Sequence, residues 1–152
     1  MDEAFDPLWG STLGQMRLRG IAFEKSNGQG QRDPLSIDMT QYDTANRYQK
    51  LIFQYRRLKG IPSPNPKSPA FSDWIRGTTN APDLDDEEIQ KICGRHSDAR
   101  RMLLDTGMTH GQGSRVNWIV YEIVIMDRSI DLILPNDFGN FKLGLNSLAR
   151  VV

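Results

Sequence analysis

The chain has 152 residues, 38% of them hydrophobic and 25% charged, with equal numbers of cations and anions and a mean hydropathy of −0.51. That length suits one ordinary domain, and zero net charge argues against a protein that coats nucleic acid indiscriminately, so an electrostatic role must come from a local patch. The single cysteine, Cys93, excludes an internal disulfide, and the longest mainly apolar run, 116–126, is shorter than the roughly 20 residues that cross a bilayer.

The opening MDEAFDPLWG is acidic and carries no long apolar run, so it reads as a loosely held arm, 1–10, and not as a signal peptide. A short helix is expected from Ser11, its N-cap, to Arg19, with Leu13, Met16 and Leu18 as its apolar positions and Gly20 as the stop. The polar, Gly- and Gln-rich stretch 26–35 reads as a mobile loop.

The most informative segment is 42–60, YDTANRYQKLIFQYRRLKG. At helical spacing Tyr42, Ala45, Tyr48, Ile52 and Tyr55 form an apolar stripe, while Arg47, Lys50, Gln54 and Arg57 lie on a second one. The segment holds five cations (Arg47, Lys50, Arg56, Arg57, Lys59) against one anion, Asp43. Asp38 and Gln41 have capping-box spacing and place the helix start near Asp38, and Gly60 with Pro62 marks its end.

Prolines at 62, 64, 66 and 69 make 61–70 a stiff, extended connection, and Phe71, Trp74 and Ile75 suit a helical turn that pins it. A second long helix is expected over 83–105. Its early anions and later cations match the helix dipole, its buried stripe is Ile89, Ile92, Cys93, His96, Ala99 and Leu103, and Gly107 closes it. The run 116–127 is rich in β-branched residues, which favours a strand. Its length, the N-cap candidate Ser114 and the lack of a clear strand partner favour a buried helix, which is the reading adopted. The last helix is expected to be capped by Asn136 or Asp137 and to bury Phe138, Phe141, Leu145, Leu148 and Val152. Gly139 and Gly144 within it weaken intrinsic helicity, so it depends on packing or admits a close neighbour. The expected architecture is therefore all-α: one compact domain, 1–152, of about four main helices joined by long polar and Pro-rich connections.

Chemistry-bearing groups are sparse. The acidic run 83–88 reads as a solvated helix start and not a metal site. Cys93 and His96 stand at i, i+3, but Cys93 lies on the apolar stripe, where a thiol acts as a small hydrophobe. The Gly-containing loops at 26–30 and 109–113 lack the glycine spacing of phosphate-binding or dinucleotide-binding motifs. No catalytic residue, metal or cofactor is expected. The contact candidates are Arg47, Lys50, Gln54, Arg56, Arg57 and Lys59, with tyrosines nearby to pack or stack. Three readings stay open for them: phosphate contact, an acidic protein partner, or a plain solvated face.

Two blocks, LGQMRLRG (13–20) with TQYDTANRYQKLIFQYRRL (40–58) and FKLGLNSLARV (141–151), resemble small helical proteins of alphaproteobacteria and their phages. In these a Leu-Gly-x-Leu-like helix precedes a Gln-x-x-Ala-Gly-x-x-Tyr helix, and the terminus reads Leu-x-x-Gly-Leu-x-x-Leu-Ala. Here Gln41 and Ala45 stand one residue further apart, and Asn46 replaces the usual glycine. A related domain of unknown function follows a helix-turn-helix in some alphaproteobacterial regulators. The resemblance implies an all-helical, phage-related protein near transcription control, with DNA or a transcription protein as partner. The pair 116–127 and 138–152 also resembles the last helices of sigma-factor-like DNA-binding domains, although the final helix brings only Lys142 and Arg150. The expectation is a cytoplasmic, non-enzymatic regulator with no membrane segment. The alternative is a protein-interaction or self-associating module, a homo-oligomer, that binds no nucleic acid.

Overall fold

The structure, a computed structural model, describes residues 11–25, 35–60 and 85–152. The expected arm, the polar loop up to 34, the Pro-rich connection and the turn around Trp74 lie outside the described residues.

Among the described residues the chain is all-α, with five helices and no strand: α1 (Thr12–Lys25), α2 (Met39–Leu58), α3 (Asp86–Thr109), α4 (Arg115–Val124) and α5 (Pro135–Leu148), with a 3₁₀ turn at Ile130–Leu132 before α5. No helix among these residues is long and apolar enough to cross a membrane. Helix α5 packs against α2, α3 and α4, and α1 closes the bundle against α2 and α4. One continuous core joins Leu13 and Met16 of α1, Ala45, Tyr48, Leu51 and Ile52 of α2, Ala99 and Leu103 of α3, all the apolar inward positions of α4, and Phe138, Phe141, Leu145 and Leu148 of α5. Burial of this contiguous apolar surface is the main stabilising term of the fold.

The α2 boundaries match the sequence reading. The Asp38 carboxylate accepts the Gln41 backbone N–H at 2.7 Å, and Gln41 Oε1 accepts the Asp38 N–H at 3.0 Å, so both halves of the capping box are made. Gly60 follows with a φ of +69°. Ser11 caps α1 through its hydroxyl, which accepts the Gly14 N–H at 2.9 Å. The β-branched run settles as helix α4, with Val116, Ile119, Val120, Ile123 and Val124 all buried.

Several boundaries differ from expectation, each for a tertiary reason. Helix α1 does not stop at Gly20 but runs on to Lys25. The glycine is there because the Ile37 carbonyl oxygen lies 2.0 Å from where a Cβ would sit. Helix α3 likewise passes through Gly107, and the Gly113 carbonyl crosses close above it. The turn itself is made by Gly111 and Gly113, both at positive φ. The first half of α3 is less buried than expected. Ala99 and Leu103 are in the core, whereas Ile89, Ile92, Cys93 and His96 are half-buried. Helix α4 ends at Val124, short of Asp127, whose φ of +54° breaks the helix. Asp127 Oδ1 instead accepts the Thr12 N–H at 2.8 Å and caps α1. Ser114 makes no side-chain cap. Helix α5 starts at Pro135, preceded by Leu134, and Asn136 and Asp137 are already inside it. Proline at the first helical position loses no hydrogen bond.

Candidate functional site

Helix α2 is held by its apolar stripe, and its polar stripe is left to solvent. Arg47, Lys50 and Gln54 stand at i, i+3 and i+7, so the helix repeat puts them on one face. All three are exposed. The structure adds a partner that sequence spacing did not single out. Arg95 of α3 comes alongside, and together with Leu51 and Val152 these side chains line an open groove of about 230 Å³. Among the described residues none of Arg47, Lys50 and Arg95 is paired with a carboxylate. Three cations therefore share one concavity with a carboxamide, a setting that attracts an anion with several oxygens.

The other contact candidates point elsewhere. Arg56 donates from Nη2 to the Tyr121 hydroxyl of α4, and its guanidinium also stands over the Tyr121 ring. Buried Tyr48 lies in the same cluster, and its phenol is pushed well above the usual range, first by burial and then by Tyr121. Arg56 is thus a bridge between α2 and α4. The Lys59 ammonium lies 5.7 Å from the Tyr55 ring centroid. Arg57, half-buried, keeps its place on the groove-side stripe by spacing but does not line the groove.

The nearby tyrosines are committed to packing. Tyr48 is in the core, Tyr42 packs against it, and Tyr55 stacks on His96 of α3. Because its ring is engaged there, His96 is a packing residue between helices. Its pKa is lowered by burial and then by the Arg100 and Arg56 charges.

A larger cleft of about 590 Å³ opens at the start of α5, lined by the loop residues Gly111 and Gln112, by Arg115, and by Leu134, Pro135, Asn136, Asp137 and Asn140. Its polar groups are largely matched internally. The buried Asp137 carboxylate receives two bonds from Arg115, 2.9 Å from Nε and 2.6 Å from Nη2, and the Asn140 amide donates to Gln112 at 3.2 Å. Arg115 in turn lies over the Trp118 ring at 4.2 Å, with Arg128 at 5.2 Å from the same ring. This is a clamp joining the α3–α4 turn to α5. Among the described residues no group of three His, Cys, Asp or Glu side chains is placed to hold a metal.

Compared with known families, curated proteins and solved structures, the chain matches no family model, no curated protein and no solved structure.

Proposed function

We propose that this protein is a non-enzymatic, all-α regulatory module of phage or prophage type that contacts DNA, or the transcription machinery on it, through the basic groove between α2 and α3. The observation that carries this reading is the convergence of Arg47, Lys50 and Arg95 from two helices onto one open groove, unpaired with carboxylates among the described residues. A solvated helix face needs no contribution from a second helix, and the Arg95 contribution favours a built contact over that plainer reading. The groove reaches about 10 Å along α2 from Arg47 to Gln54, enough to face roughly three phosphates of one strand. With about three phosphates neutralised, affinity should fall roughly 40-fold between 50 and 200 mM salt. Fluorescence anisotropy of a labelled mixed-sequence duplex across that range tests it. Absence of binding at the low-salt end removes the reading.

A second reading has its own observation. Met108, Leu132 and Leu134 are 74%, 62% and 59% exposed, and exposed apolar side chains of this size are common at protein contacts. This supports a protein-interaction or self-associating module. Light scattering coupled to size exclusion tests the homo-oligomer form, and a monomer at all loading concentrations removes it.

A further inference from the structure

We propose that the groove takes a nucleic-acid duplex by its phosphodiester backbone, without reading base sequence and in preference to a single strand. The inference rests on the nucleic-acid reading of the groove and specifies its partner. Proteins that hold single strands offer open aromatic faces on which bases stack. Beside this groove every tyrosine of α2 is already engaged: Tyr48 is only 3% exposed, Tyr42 packs on the core, and Tyr55 lies against His96 with the rings 4° from parallel. Among the described residues, what remains for the ligand is charge, one carboxamide and two aliphatic side chains.

Base readout from the major groove needs a helix face that protrudes far enough to enter it. Helix α2 is packed by α1, α3, α4 and α5. The polar side of α2 is set into a concave surface, with Gln54 the only carboxamide that lines the groove among the described residues. Nor does the site suit a terminal phosphate. Arg47, Lys50 and Gln54 project from within α2 and Arg95 from the middle of α3, so among the described residues no helix N-terminus directs backbone N–H donors into it. Cations on long stems suit a track of diesters, and a duplex presents the denser track, about one charge per 1.7 Å of axis.

The test uses equal-length labelled probes in anisotropy titrations at low salt: two DNA duplexes of unrelated sequence, an RNA duplex, and one DNA single strand. The expected result is indistinguishable affinity for the two DNA duplexes and binding of the single strand weaker by about tenfold. An RNA duplex that binds as well as the DNA duplexes assigns the groove to the shared backbone, and one that binds less well assigns it to DNA; both support the duplex proposal. Single-strand binding equal to or tighter than duplex binding overturns it, as does a preference of more than about tenfold between the two DNA sequences, and either result leaves the nucleic-acid reading standing. Failure of every probe to bind overturns the nucleic-acid reading itself. A triple variant, Arg47→Ala, Lys50→Ala and Arg95→Ala, changes only exposed side chains, so circular dichroism should show it folded while duplex binding is lost. Retained duplex binding in that variant also overturns the proposal.

Discussion

The phenol ring of Tyr55 on α2 lies flat on the His96 imidazole of α3, with ring centroids 3.6 Å apart and planes 4° from parallel. The stack fastens the less buried half of α3 to α2. His96 is the direct neighbour of Arg95, so the same stack holds Arg95 beside Arg47 and Lys50. Burial, followed by the Arg100 and Arg56 charges, keeps the His96 pKa below its usual 6.5. The folded state therefore favours neutral His96, whereas the unfolded chain takes up the proton near 6.5. This contribution to stability is complete above 6.5 and is lost as pH falls through the lowered folded value. Melting temperature measured from neutral to mildly acid pH should decline on the acid side, and His96→Phe, which keeps a ring for the stack, should flatten that decline. An identical pH profile in the variant would show that another group causes it.

The two glycines inside α5 should respond in opposite directions to alanine. A Cβ at Gly144 would stand 2.5 Å from Val120 Cγ2 and 3.1 Å from both Leu103 Cδ2 and Val116 Cγ1. Gly144→Ala therefore overpacks the contact of α5 with α3 and α4 and should cost about 1–3 kcal/mol. Gly139 is exposed, and a Cβ there meets nothing within 4 Å, so Gly139→Ala should gain about 0.5–1 kcal/mol through helix propensity. Urea midpoints at constant slope decide both. Stabilisation by the Gly144 change would mean that α5 sits further from its neighbours than described.

These glycines mark how far the sequence could be read. Periodicity identified α2, α3 and α5, because amphipathic spacing is a local property, but it over-counted the core: Ile89, Ile92, Cys93, His96 and Val152 are only half-buried. The Asp38–Gln41 capping box placed the start of α2 for the same reason. Gly20 and Gly107 were expected to end helices, since glycine is a common helix stop. Their actual reason, a carbonyl from a distant or looping segment lying against the helix, is a tertiary fact with no local signature. Asp137 shows the same limit: a carboxylate just after proline reads as a cap, and only the fold brings Arg115 to it. For the groove, α2 spacing supplied Arg47, Lys50 and Gln54. Arg95 was hidden because it also suits the α3 dipole, and the Arg56 bond to Tyr121 was hidden because the two lie 65 positions apart.

Asp137 is almost fully buried and chelated by Arg115. Its pKa is held below the ordinary 3.8, first by the Arg115 hydrogen bonds. Its contribution to stability is thus present above about 3.8 and is lost as pH falls through the lowered value. Asp137→Asn should lower the melting temperature at neutral pH and leave a smaller gap to the parent protein in strong acid. A gap that is the same at both pH values would mean that the charge of Asp137 contributes nothing.

Arg56 separates structure from contact. It carries one of the five cations of the basic segment, yet its guanidinium is bound to Tyr121. Arg56→Ala should reduce stability by about 1.5–3 kcal/mol, the scale of a charge-assisted hydrogen bond. It should leave the salt dependence of duplex binding unchanged. Loss of binding with unchanged stability would place Arg56 in the contact surface after all.

The most direct test of the two-helix groove is the salt dependence of duplex binding by Arg95→Ala. Arg95 belongs to α3, so a contact made by the basic helix alone would not involve it. Measured by anisotropy over a series of salt concentrations, the slope of log K against log salt should become shallower by about one in Arg95→Ala, as it should in Arg47→Ala. A parent-like slope and affinity in Arg95→Ala, alongside a weakened Arg47→Ala, would contradict the groove and return the contact to α2 alone.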